Sequence, residues 1–95
     1  MSWTIYIVRC SDDTLYTGIA LDAARRVAEH NAGKLSANYT RSRRPVALVY
    51  RETAETRSEA LKREYAIKQL TRQQKEILIA AAKGAAARRK RRRRT

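Results

Sequence analysis

The chain has 95 residues, room for one domain with one modest core, and its 43% apolar content is ordinary for a folded chain. Lys and Arg number 22 against nine Asp and Glu, a formal charge of +13, so the expected partner is a polyanion. Cys10 is the one cysteine and His30 the one histidine, which excludes an internal disulfide and a usual zinc site and leaves carboxylate and water as the holders of any metal.

Residues 3–10 (WTIYIVRC) and 15–21 (LYTGIAL) are rich in β-branched and aromatic side chains, and Ser11-Asp12-Asp13-Thr14 between them is turn chemistry, so a hairpin is expected. No charged leader precedes the first strand and no apolar run reaches the ~18 residues of a membrane span, so a soluble cytoplasmic protein is expected. With Cys10 opposite Thr14, Tyr6 faces Gly18 and Val8 faces Tyr16. Tyr6, Tyr16 and Gly18 then share one face, while Ile5, Ile7, Leu15, Ile19 and Leu21 share the other as the buried side. A glycine in a strand marks close approach by a ligand or another backbone; the alternative is that the tyrosines merely cover a half-buried sheet.

Asp22 suits an N-cap and Gly33 a left-handed helix end, which predicts a helix of about ten residues between them. Arg26 and His30 stand four apart on one ridge of it, either a site or simply the solvated side. Residues 34–45 (KLSANYTRSRRP) read as an irregular segment that presents Tyr39, Arg41, Arg43 and Arg44, a mixture suited to phosphates and stacked bases or to a solvated charged loop.

Residues 46–51 are apolar on both faces, which reads as a third strand, covered on both sides rather than an exposed edge. Thr56 and Glu59 form a capping box for a helix to about Gln69, with Ala60, Leu61, Ile67 and Leu70 on its inner side. Glu64 points along that apolar face, where a carboxylate needs a cation: a metal, Arg26, or Lys68 one turn on. A second capping box at Thr71 opens a last helix through Ile77, Leu78 and Ala81, ended by Gly84. Residues 1–84 are thus expected to be the domain and 85–95 a disordered arginine-rich tail. Without the tail's seven cations, the rest of the chain is still +6.

Tyr6 within Thr4-Ile5-Tyr6, Tyr16-Thr17-Gly18 ten residues on, Arg26 ten after Tyr16, His30 four later and Glu64 within Glu59 to Lys68 together resemble the GIY-YIG nuclease family. Residues 25–33 look especially like its small stand-alone bacterial members and the catalytic subunit of structure-selective junction nucleases. The resemblance covers residue 3 to about residue 70. It implies an α/β (α+β) fold, a small three-stranded antiparallel sheet flanked by helices, and phosphodiester hydrolysis with one divalent metal, Mg²⁺ or Mn²⁺.

Carried over, Glu64 holds the metal and Tyr6 is the leading candidate to deprotonate the attacking water. His30 drains that proton, Arg26 binds the scissile phosphate, and Tyr16 positions phosphate or water. Gly18, Arg25, Lys34, Tyr39, Arg41, Arg43 and Arg44 are the expected nucleic-acid contacts. Thr4 and Thr17 replace the motif's first glycine and its second isoleucine, and the asparagine that many members carry downstream of the glutamate is missing, none following Asn38. The implied function is a metal-dependent DNA endonuclease, structure-selective or weakly sequence-specific; the alternative is a nucleic-acid-binding module on the same scaffold. The partner is DNA, with RNA left open, and a monomer without membrane association is expected.

Overall fold

The computed structural model describes residues 2–32 and 43–93. Strands β1 (Trp3–Arg9), β2 (Leu15–Ala20) and β3 (Ala47–Ala54) form an antiparallel sheet in the order β2-β1-β3. Helices α1 (Ala23–Ala32), α2 (Arg57–Lys68) and α3 (Arg72–Arg93) complete a small α+β fold. Among the described residues, no helix is long and apolar enough to cross a membrane.

The hairpin has the expected register, Tyr6 against Gly18 and Val8 against Tyr16. Its turn closes where the Cys10 N–H donates to the Thr14 carbonyl at 2.8 Å, and Asp13 takes the left-handed conformation at φ 68°. Aspartate tolerates that conformation better than bulkier residues, and the Asp12 carboxylate accepts from the Thr14 hydroxyl at 2.6 Å.

β1 is the central strand, and Ile5, Tyr6, Ile7 and Val8 along it are all at most 2% exposed. Tyr6 and Val8 pack with Ala20, Ala23 and Val46 on one face; Ile5 and Ile7 pack with Ala60, Ile67 and Ile79 on the other. Two thin cores thus share one sheet. Fully burying each branched side chain contributes about 1.5–3 kcal/mol before chain entropy is set against it.

Several expectations are corrected. β3 is an edge strand, although it packs on both faces, Leu48 with one core and Val49 and Tyr50 with the other. Covered faces report what lies above and below a strand, whereas an edge is defined by hydrogen bonding in the plane of the sheet. Leu21 lies just past the end of β2 and is 52% exposed; Leu61 on α2 is 37% exposed. In α3 Ile79 is buried and Ile77 is exposed, since two positions apart differ by about 200° around a helix. α3 also continues through Gly84 to Arg93, where a helix end at Gly84 is expected from sequence. A glycine inside an exposed helix costs only ~1 kcal/mol relative to alanine, and three alanines follow it here.

Two long-range ties position the site. The Asn31 side chain makes a paired contact with the Val46 backbone, donating to its carbonyl at 2.9 Å and accepting from its N–H at 2.6 Å. It joins the end of α1 to the chain entering β3. Arg9 at the end of β1 donates to both Glu76 carboxylate oxygens at 2.9 and 2.7 Å, and Arg72 joins from α3, reaching Glu76 at 2.9 Å and Asp13 at 3.2 Å.

Hydrogen bonds from Arg9 and then Arg72 hold the Glu76 carboxyl down to about 2, against 4.5 ordinarily. A group whose folded pKa is depressed stabilises the fold above its unfolded value, and that contribution is lost as pH falls through the folded one. We therefore expect wild type to melt above Glu76→Gln at pH 6, with the gap narrowing below pH 4.5 and closing near pH 2. Thermal unfolding across that range checks it, and added salt should shrink the gap because the pair is partly exposed.

Candidate active site

Tyr6 reaches the site from the central strand, and the residue across from it in β2 is Gly18. A Cβ built on Gly18 would lie 2.6 Å from the Tyr6 hydroxyl oxygen and 2.8 Å from Cζ. The close approach expected at Gly18 is therefore made by the Tyr6 ring. Gly18 is itself buried, so it serves as the seat of Tyr6 rather than as a surface for nucleic acid.

α1 brings in Arg26 and His30. Asp22 caps it as expected, its carboxylate accepting from the Arg25 N–H at 3.1 Å. The ridge turns inward: His30 is 4% exposed, with Nε2 3.4 Å from the Tyr6 hydroxyl, and Arg26 is half-buried. The Tyr16 ring meets the His30 ring edge to face, centroids 5.8 Å apart at 69°. A merely solvated ridge is not what these contacts describe.

Charge in the cluster is set by burial first. Desolvation pushes Tyr6 up to about 12; the neighbouring Tyr16 and Glu64 push the same way, and Arg26 opposes them. Burial and then Arg26 hold His30 below its ordinary 6.5, with Glu29 pulling back. At neutral pH Tyr6 thus keeps its proton, and His30 is an uncharged imidazole. With its ring proton on Nδ1, its Nε2 can accept from Tyr6.

α2 packs on β2 and β1, and its capping box forms as expected, Thr56 accepting from the Glu59 N–H at 3.1 Å. Ala60 and Ile67, both fully buried, bracket Glu64 on the inner side. The Glu64 side chain is 19% exposed, and its carboxylate pairs with Lys68 at 3.5 Å, one of the cations expected from sequence. Among the described residues, no group of three or more His, Cys, Asp or Glu gathers to cage a metal. A single carboxylate suits a hard divalent cation that keeps most of its waters, and Lys68 is a half-exposed partner that a cation could displace, so Glu64 fits such a metal.

The outer contacts divide. Arg25 is on the surface, its guanidinium 3.3 Å from Glu29. Arg43 ties to the hairpin turn: its Nε is 3.0 Å from Asp12, and its carbonyl accepts from the Ser11 N–H at 2.9 Å. Arg44 is exposed, while Lys34, Tyr39 and Arg41 lie outside the described residues. Arg51, which sequence reasoning passed over as a strand residue, stands exposed opposite Tyr6 and adds a cation to its face of the sheet. The register to β3 would have found it, but that pairing follows from no local signal.

Tyr6, seated on Gly18, has His30 of α1 beside it, and Arg26 of α1 and Glu64 on the inner side of α2 both act on its hydroxyl. The GIY-YIG catalytic domain matches residues 2–77, and the chain belongs to the GIY-YIG family, a family of nucleases. A UPF0213 protein of Desulfotalea psychrophila is 62% identical over 77 residues, 81% of this chain and 70% of that one. Another, of Halobacterium salinarum, is 57% identical over 74 residues, covering 78% and 95%. Solution structures of the UPF0213 protein BH0048 of Bacillus halodurans and of the protein EF2693 of E. faecalis share 40% and 44% identity, with TM-scores of 0.55 and 0.58. Each comparison covers 85% of both chains.

Substituting the seat should disturb the site more than the fold. Gly18→Ala forces the Tyr6 ring to move, at a strain of about 1–3 kcal/mol, and separates its hydroxyl from His30. We expect a lowered melting temperature, and a smaller drop when the same change is made in the Tyr6→Phe background, where the nearest clashing atom is gone. Equal drops in both backgrounds would show that the crowding lies elsewhere.

Proposed function

We propose that the protein is a metal-dependent endonuclease that hydrolyses DNA phosphodiester bonds in a structure-selective or weakly sequence-specific way. The observation that supports this reading is the buried Tyr6–His30 contact, held in the fields of both Arg26 and Glu64. A module that only binds a phosphate backbone has no need of a buried proton path or of a carboxylate beside it.

With Tyr6 at about 12, a free phenolate at pH 7 lies five units uphill, about 7 kcal/mol. Tyr6 therefore acts as a relay. It takes a proton from the attacking water as it passes its own to Nε2 of His30, so no phenolate accumulates. The water oxygen bonds to phosphorus, and the bond to the leaving sugar oxygen breaks. Arg26 binds the phosphate oxygens on which charge builds, and Tyr16, its ring fixed against His30, orients phosphate or water. Glu64 would hold the Mg²⁺ or Mn²⁺, which when bound supplies Lewis-acid stabilisation of the same oxygens. Neutralising Glu64 also removes one of the charges that raise Tyr6.

Single strands, duplexes, flaps and junctions assayed with and without Mg²⁺ or Mn²⁺ test the reading. Glu64→Gln should lose cleavage while DNA binding persists, and a variant that cuts at the wild-type rate overturns the metal assignment. Since His30 must be uncharged to accept, kcat should rise with pH through a value below 6.5. His30→Ala should slow the reaction and erase that limb. A limb that persists unchanged would mean that His30 does not receive the proton.

A further inference from the structure

Next to the catalytic cluster, where β2 gives way to α1, lies a cavity of about 260 Å³. Trp3, Ala20 and Leu21 supply its apolar walls, and Arg25 and Arg26 supply cations. Arg26 lines this cavity and also lowers both Tyr6 and His30 by its charge. Leu21 is 52% exposed, an apolar side chain left at a rim that nothing in the chain covers among the described residues. Arg57 from α2 stands over the Trp3 ring, 5.9 Å from its centroid, so the indole already has a cation against it.

The lining carries two arginines and two acids and so no net charge: Glu29 pairs with the Arg25 guanidinium and Asp22 accepts from the Arg25 N–H, so what recommends a ligand is the apolar wall beside Arg26 and not an excess of cations. Sites for drug-sized molecules run ~300–1,000 Å³, so this one suits a single planar ring system rather than a whole nucleotide. An aromatic side chain beside arginines is the means by which proteins take up unpaired bases, because every base has a face to stack.

We propose that this cavity receives one unpaired nucleobase of the substrate strand, stacked against Trp3 and Leu21, while the adjoining phosphate lies on Arg26. The inference rests on the nuclease reading in placing the phosphate there, and it goes further by naming the substrate feature: a base free of its partner next to the cleaved bond. A paired base cannot enter, so the cavity itself makes the protein prefer bulges, flaps and ends over uninterrupted duplex.

Trp3 is the chain's one tryptophan and so reports its own occupancy. Indole emission and fluorescence anisotropy are followed in EDTA with three DNAs: a full duplex, the same duplex with one bulged nucleotide, and that bulge made abasic. The bulged DNA should quench Trp3 and bind about ten-fold tighter than its abasic form, as one stacked base would give. Leu21→Ala, at an exposed position outside the catalytic cluster, should lose most of that preference and keep its affinity for duplex; Trp3→Leu should lose all of it. Equal quenching and equal affinity for bulged and abasic DNA would overturn the proposal. Cleavage with Mg²⁺ is measured separately. Cutting without base preference removes the cavity's role and leaves the nuclease, and base preference without cutting does the reverse.

Discussion

The contact on which the site depends is the Tyr6 ring lying over Gly18 across the β1–β2 pair. A strand has a period of two, so a slip of one residue would turn Tyr6 toward the α2 side and carry Ile5 and Ile7 out of their core. The proposed relay is thus secured by the same pairing that builds the two cores. Strand pairing sets the height of the hydroxyl, glycine leaves space for it, and α1 then needs only to present His30 at the right turn of the helix.

The electrostatics follow from that placement. A tyrosine buried in the central strand holds its proton tightly, and a histidine buried beside an arginine gives its proton up readily. In the proposed reading these opposite tendencies make a path and not a reservoir, since neither group alone stores the charge. Arg26 acts on both, so its removal would alter proton affinity and phosphate binding together.

What could be read from sequence was what local chemistry specifies. Asp12 and Asp13 set the turn and hence the register, and Asp22, Thr56 and Thr71 fixed the starts of three helices. The spacing of Arg26 and His30 placed them on one ridge, though not which way it faced. What sequence left open depends on groups distant along the chain. Arg9 and Glu76 are 67 residues apart, and nothing beside either announces the other. Ile77 and Ile79 are chemically identical, so only the docking of α3 decides which is buried. Spacing from Ala60 and Ile67 put Glu64 on the inner side of α2 and offered Lys68 among its partners, but could not say which of them it takes. Leu21, assigned to the core because strand alternation was run one residue past the end of β2, proved to be the rim of a cavity.

The ties at Asn31 and Arg43 bear on how such a domain changes over time. Asn31 grips the backbone of Val46, and Arg43 grips the hairpin turn through Asp12 and Ser11, so the chain is clamped on both sides of the stretch that separates α1 from the entry to β3. Both clamps are made by side chains at exposed positions, Asn31 and Asp12, so a substitution at either would free an end of α1 or of the hairpin turn, and these two positions should tolerate change far less than their exposure suggests.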